Sequence, residues 1–221
     1  MKSWSEINHR LLPVASNVQV AEGAYLLSFT RDFIFLAGQV VALGVTNAIG
    51  PRLYSIASGE FDELIDILYT EKSEGGLTPM LSRLKAGDSV MVSEPFGTFT
   101  QVIDDAVYIC AGTGIAPFIA KIKSMKGSNP TLIHGVRYPE HFYFRNYLEK
   151  TLGRNYLQCC SRHPDDDYFQ GRVVQFVREW KNLDASKSYY LCGSAEMVVD
   201  TRDELILRGV PFANINAEIY F

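Results

Sequence analysis

Through residue 104 the apolar residues come in short runs that alternate with polar ones, and Gly, Pro, Asn or Asp interrupts them every few positions. Alternation of this kind marks strands with one face in a core, and the frequent turn residues keep those strands short. The pattern predicts strands at residues 14–20, 24–30, 39–43, 52–56, 65–70 and 89–92, with Pro95-Phe96-Gly97-Thr98-Phe99 as a final turn and closing strand. One helix fits this half, at residues 78–84, where Thr78 can cap the N-terminus and Pro79 takes the first helical position. Many short strands with turn signals between them predict a small antiparallel β-barrel over residues 1–104.

From Ala106 the pattern changes. Apolar strand-like runs at residues 106–111, 131–136, 156–161 and 188–192 alternate with helical patterns at 117–125, 139–149, 173–180 and 195–207. That alternation predicts an α/β domain with a doubly wound parallel sheet over residues 105–221. A chain of 221 residues is long enough for two domains, each with its own core.

The stretch from Ala106 to Phe118 divides the two patterns. Six apolar residues form a short buried strand, Gly112-Thr113-Gly114 supplies a tight turn, and Pro117 suits the start of a new helix. A strand, a glycine turn and a helix N-terminus make an anion cradle, because unpaired backbone N–H groups and the helix dipole converge on one spot. Pro117 stands where the usual dinucleotide fingerprint would place its third glycine, so an ordinary Rossmann dehydrogenase is not the natural reading.

Composition narrows the class. Nearly half the residues are apolar, and no apolar run approaches the length of a membrane span; with no signal-peptide core at the N-terminus, a soluble cytoplasmic protein is expected. The four cysteines, Cys110, Cys159, Cys160 and Cys192, lack metal-ligand spacing and imply a reducing compartment, and four scattered histidines suggest no metal site. The net charge of −4 is uneven, −5 over residues 1–104 against +1 over residues 105–221, and nothing points to nucleic acid.

Certain residues are harder to explain as packing. Arg52 and Tyr54 should share one face of their strand while Ser55 points to the other, which offers a phosphate clamp beside an aromatic stacking surface. Gly75-Gly76-Leu77-Thr78-Pro79 is a second glycine turn leading into a helix. In a doubly wound sheet ligands lie across the carboxyl ends of the strands. Those ends carry Gly112-Thr113-Gly114, Gly135-Val136-Arg137, Ser161-Arg162 and Cys192-Gly193-Ser194. An NAD-specific edge would favour an acidic residue after the second strand; here stand Arg137, then Ser161 and Arg162, which suit the phosphate monoester of NADP. Arg172 and Tyr168 could extend that pocket, the tyrosine by stacking on a purine.

Taken in order, Leu36-Ala37-Gly38-Gln39, Arg52-Leu53-Tyr54-Ser55, Gly76-Leu77-Thr78-Pro79, Gly112-Thr113-Gly114-Ile115-Ala116-Pro117, Ser161-Arg162, Cys192-Gly193 with Met197, and the closing Ala217-Glu218-Ile219-Tyr220-Phe221 resemble the motifs of the ferredoxin–NADP reductase superfamily, over nearly the whole chain. The likeness is to the short bacterial ferredoxin or flavodoxin reductases. The resemblance implies FAD on the barrel, held by Arg52, Leu53, Tyr54, Ser55, Leu68, Gly76, Leu77, Thr78, Thr113, Tyr220 and Phe221. It implies NADP(H) on the second domain, held by Gly112, Gly114, Arg137, Ser161, Arg162, Arg172, Gly193 and Met197. Thr113 and Cys192 would flank the nicotinamide, Ser55 would hydrogen-bond near the hydride-accepting nitrogen, Glu218 would assist proton handling, and Tyr220 would cover the other flavin face. Ser55, Cys192, Glu218 and Tyr220 are thus the implied catalytic set. The implied reaction is hydride transfer between NADP(H) and FAD with one-electron exchange to a separate carrier, ferredoxin or flavodoxin, and with no nucleic-acid or membrane partner. The oligomeric state stays open, a monomer being favoured. Two alternatives remain: an NADH-dependent cytochrome-type reductase, and a non-catalytic electron-transfer subunit of a larger complex.

Overall fold

In a computed structural model that describes residues 4–125, 127, 129–165 and 167–220, six strands of the first half hydrogen-bond into one sheet. They are β1 (His9–Ala21), β2 (Ala24–Thr30), β3 (Val40–Gly44), β4 (Arg52–Ser55), β5 (Leu64–Thr70) and β6 (Ser89–Ser93), in the order β4-β3-β6-β1-β2-β5. Every pairing is antiparallel. An antiparallel bridge from Ile56, just past β4, to Ile67 on β5 joins the two ends of that order, so the sheet closes as a barrel.

β1 spans two neighbours. Its first residues, His9 to Pro13, pair with β6, and from Val14 onward it pairs with β2. The changeover falls where Pro13 has no N–H to give, beside a register shift between Val14 and Ser16. Inward positions follow the period of two: Leu27 and Phe29, Val41 and Leu43, Ile65, Ile67 and Tyr69, Val90 and Val92 are all buried in one cluster.

Two expectations for this half are corrected. The helix expected at residues 78–84 is only α1 (Thr78–Leu81), with Leu77 rather than Thr78 at the N-cap. The Thr78 hydroxyl closes the preceding loop instead, accepting from the Lys72 N–H at 2.9 Å. The helix stops early where the Asn17 side-chain amide donates to the carbonyls of Leu81 (2.8 Å) and Leu84 (3.2 Å). The closing strand expected at 95–99 is a single bridge, Val40 to Phe96, because Gly97 turns the chain at φ +110° immediately afterwards.

The second half contains β7 (Val107–Ala111), α2 (Ala116–Ser124), β8 (Thr131–Val136), α3 (Arg145–Leu152), β9 (Tyr156–Cys160), β10 (Phe169–Gln170), α4 (Val173–Glu179), β11 (Tyr189–Ser194), α5 (Ala195–Leu207) and β12 (Ile215–Tyr220). The strands form a wholly parallel sheet in the order β10-β9-β8-β7-β11-β12, winding outward from β7 in both directions. The continuous apolar runs of β7 and β11 are buried, as parallel strands require. The helix expected at 139–149 is split into a 3-10 turn at Pro139–His141 and α3, because Phe144 between them adopts φ +58°, which no right-handed helix contains. β10 and β12 were not predicted. β10 is too short to show a period, and β12 reads as a tail until its pairing with β11 is seen.

Contacts group residues up to Gln101 with Ala116–Met125, and Val102–Ile115 with the chain after Met125. Helix α2 thus packs with the barrel residues. Its Lys121 is wholly buried and donates to the Gln101 carbonyl at 2.7 Å, 5.3 Å over the Phe99 ring. Lys123 pairs with Asp62 at 3.0 Å, and the Ser124 hydroxyl accepts from the Glu60 N–H at 2.9 Å. Among the described residues no helix is long and apolar enough to cross a membrane.

The barrel core yields a direct test. Leu27 is fully buried in it, so Leu27→Ala should cost about 2–5 kcal/mol of stability in urea unfolding. A loss below about 0.5 kcal/mol, the range of a surface change, would remove Leu27 from the core.

Candidate functional site

β7 runs directly into a 3-10 turn, Gly112–Ile115, that continues as α2. The turn begins with Gly112 at φ +54°, a left-handed conformation that suits glycine, with nothing within 4 Å of where a Cβ would stand. At Gly114 the constraint is different: a Cβ would lie 2.4 Å from the carbonyl oxygen of Cys192 and 3.0 Å from Gly193 Cα. The turn therefore rests against the end of β11. Met197, on the first turn of α5, places its Cε 2.5 Å from the corresponding point on Gly193. β12 adds its own residues in register: Glu218 opposite Cys192, Ile219 opposite Gly193, Tyr220 opposite Ser194. Thr113, Gly114, Cys192, Gly193, Met197, Glu218 and Tyr220 thus meet at the carboxyl ends of β7, β11 and β12, the edge where doubly wound sheets bind ligands.

The thiol of Cys192 is buried among them. Burial pushes its pKa well up, the Glu218 carboxylate pushes the same way, and a hydrogen bond with Tyr220 opposes both. Cys110, its partner on β7, is likewise driven up by burial. Both are neutral thiols, shaped to pack rather than to attack.

Beneath the turn lies a residue that the sequence reading passed over. His134 on β8 is wholly buried, with Nδ1 3.1 Å from the Tyr156 hydroxyl and Nε2 3.3 Å from the Gly112 carbonyl oxygen. The rings of Phe142, Tyr143 and Tyr156 pack around it. Burial lowers its pKa to about 3, and the bond to Gly112 opposes the shift. The available signal was one polar residue inside the apolar run Leu132-Ile133-His134-Gly135-Val136.

Beyond β8 and β9 the expected cationic edge is assembled from backbone pairing. The Ser161 N–H donates to the Val136 carbonyl and the Arg162 N–H to the Arg137 carbonyl, each at 3.0 Å, so Arg137, Ser161 and Arg162 stand side by side and exposed. Arg172 is the N-cap residue of α4, and its guanidinium pairs with Glu196 at 2.9 Å, both side chains being 69–70% exposed. Tyr168 is 9% exposed, with its hydroxyl 2.8 Å from His163 Nδ1 and its ring packed on Phe142. A ring seated there is not presented for stacking on a purine.

The barrel carries its own group. On β4, Arg52 and Leu53 are exposed, Tyr54 is half-buried against Tyr69, and Ser55 is 3% exposed. Burial pushes the Tyr54 hydroxyl up to about 12, and the charge of Arg52, two positions before it on the strand, opposes the shift. A Cβ on Gly76 would lie 3.6 Å from Ile49, while Gly50 borders the Arg52 guanidinium, so the loop before β4 joins the second glycine turn to Arg52. Leu68 and Leu77 are buried, and the Thr78 hydroxyl is held by Lys72. Phe221 lies outside the described residues. An exposed guanidinium, an exposed leucine and a half-buried tyrosine ring on one strand fit a diphosphate joined to a flat aromatic group. The open Gly112 turn and the Arg137–Ser161–Arg162 edge fit a phosphorylated dinucleotide.

Known proteins resemble the chain over most of its length. The family described as "Oxidoreductase NAD-binding domain" matches residues 108–203. The toluate 1,2-dioxygenase electron transfer component of Pseudomonas putida is 32% identical over 220 residues, covering 92% of this chain; the chain spans 65% of that relative's length. The ferredoxin–NADP reductase of Pseudomonas aeruginosa is 30% identical over 203 residues, 76% of each chain being covered. The solved structure of a ferredoxin NADP+ reductase from Neisseria gonorrhoeae with bound FAD and NADP superposes with a TM-score of 0.86 at 20% identity, over 96% of this chain and 99% of that one.

The His134 environment sets a pH dependence. Unfolded, the ring titrates near 6.5, whereas folded it stays neutral to about 3, so between these values the unfolded chain binds the extra proton. Its contribution to stability is complete above about pH 6.5 and is lost as pH falls toward 3. The melting temperature of His134→Gln should therefore fall less than that of the parent when pH drops from about 7 to about 5. Parallel curves would show that the buried ring is not neutral.

Proposed function

The chain belongs to the ferredoxin–NADP reductase family, and from that premise we propose that it is an FAD-containing oxidoreductase that moves electrons between NADP(H) and a one-electron carrier protein, ferredoxin or flavodoxin. The observation that carries the reading is the convergence of Gly112 to Gly114, Cys192, Gly193, Glu218 and Tyr220 at one sheet edge. The cationic run Arg137, Ser161, Arg162 stands at the ends of the next strands. In this reading residues 1–104 hold FAD and residues 105–221 hold NADP(H).

The bound flavin would supply the chemistry of accepting a hydride and releasing single electrons. The chain's residues bind, orient and exclude water. Arg52 takes the FAD diphosphate, aided by the backbone at Gly76, Leu77 and Thr78. Leu53, Tyr54, Leu68 and Thr113 pack on FAD, and Ser55 supplies a hydroxyl to the flavin. Tyr220 gives aromatic cover. Gly112 and Gly114 let backbone N–H groups approach the NADP(H) diphosphate, and Gly193 and Met197 pack beside it. Arg137, Ser161, Arg162 and Arg172 take the 2′-phosphate. The Cys192 thiol, neutral and buried, packs beside the nicotinamide, while Glu218 assists proton handling near it.

A second reading is an NADH-using electron-transfer component of a larger oxygenase-type system. Its support is the 32% identity with the toluate dioxygenase component and the engagement of Arg172 by Glu196.

Two measurements test the proposal. Purified protein supplied with FAD should show a flavin spectrum that NADPH bleaches without oxygen, and a colourless protein would overturn the reading. Replacing Arg137 and Arg162 together by Ala should raise the KM for NADPH by about tenfold or more, the scale of two charge-assisted contacts, with little change for NADH. Equal changes for both nucleotides would favour the second reading.

A further inference from the structure

β8 lies between β7 and β9 and is buried from Leu132 to Val136. A polar ring in such a strand costs free energy unless its nitrogens are bonded, and both nitrogens of His134 have partners. Those partners fix the tautomer. The Gly112 carbonyl can only accept, so Nε2 carries the proton, and Nδ1 accepts from the Tyr156 hydroxyl.

The consequence runs through the peptide plane. In a trans peptide the C=O and the following N–H point in opposite directions, so a Gly112 oxygen drawn toward His134 turns the Thr113 N–H away from it. The first N–H groups of a helical turn have no partner inside that turn and are the ones an anion meets. Gly112 has no Cβ to resist rotation of the peptide that follows, and nothing lies within 4 Å of where one would stand, so the bond from His134 adds a restraint on that plane to the one the 3-10 turn supplies. We propose that His134 is a positioning residue that locks the Gly112–Thr113 peptide, presenting the Thr113 N–H to the diphosphate of the nicotinamide nucleotide. This rests on the oxidoreductase reading above. Because the buried ring stays neutral far below the working pH, the Nε2 donor is constant across that range.

His134→Phe keeps a ring of similar size and removes the donor. It should weaken NADP+ binding, measured by difference spectroscopy, by about three- to tenfold, the scale of one neutral hydrogen bond. Adenosine 2′,5′-bisphosphate, which reaches only the arginine edge, should bind within about twofold of the parent. His134→Gln, whose amide can donate near the Nε2 position, should recover most of the loss. Unchanged NADP+ binding in His134→Phe, or equal losses for both ligands, would overturn the proposal while leaving the oxidoreductase reading intact. A parent protein that binds neither ligand would overturn that reading and this proposal with it. In the parent without ligand, long-range 1H–15N correlation should place the His134 proton on Nε2. A proton on Nδ1 would sink the assignment whether or not any variant folds.

Discussion

The space between Gly114 and the carbonyl of Cys192 is too small for a side chain, since a Cβ there would stand 2.4 Å from the oxygen. That close approach seats the turn after β7 on the end of β11, and the rest of the edge is built around it. β12 then pairs with β11 and brings Glu218 and Tyr220 to the same level, while α5 starts from Ser194, whose hydroxyl accepts from the Met197 N–H. One backbone contact thereby aligns residues drawn from three strands and a helix.

Charge is distributed unevenly around this edge. His134, Tyr156, Cys110 and Cys192 are all driven toward their neutral forms by burial. Arg137 and Arg162, by contrast, stand exposed one or two strands away. An anionic ligand would be drawn by the exposed guanidinium groups and would meet an uncharged bed beneath the turn.

Much of this was legible in the sequence because the two hydrophobic periods are unambiguous. Ala24 to Thr30 and Ala195 to Leu207 were bounded as the structure has them. The misses are of two kinds, some set by a partner farther along the chain and some by a local backbone conformation. Asn17 ends α1, β11 converts the tail into β12, and Phe144 breaks a helical pattern through a conformation that its residue type does not signal. For the candidate site, the glycine turn, the cationic edge and the Cys-Gly pair were visible as motifs. His134 was not, since its role exists only where β8 passes under the Gly112 carbonyl.

Helix α2 carries a consequence for dissecting this molecule. The wholly buried Lys121 finds its acceptor at Gln101, and Lys123 and Ser124 find theirs at Asp62 and Glu60. A fragment ending near residue 104 would strip the barrel of a wall it packs with, and the complementary fragment would carry an ammonium group shaped for burial with no carbonyl to receive it. Scissors placed at the change of sequence pattern would part α2 from the barrel residues it groups with, so the chain's modules are separable in its sequence but not by a single cleavage.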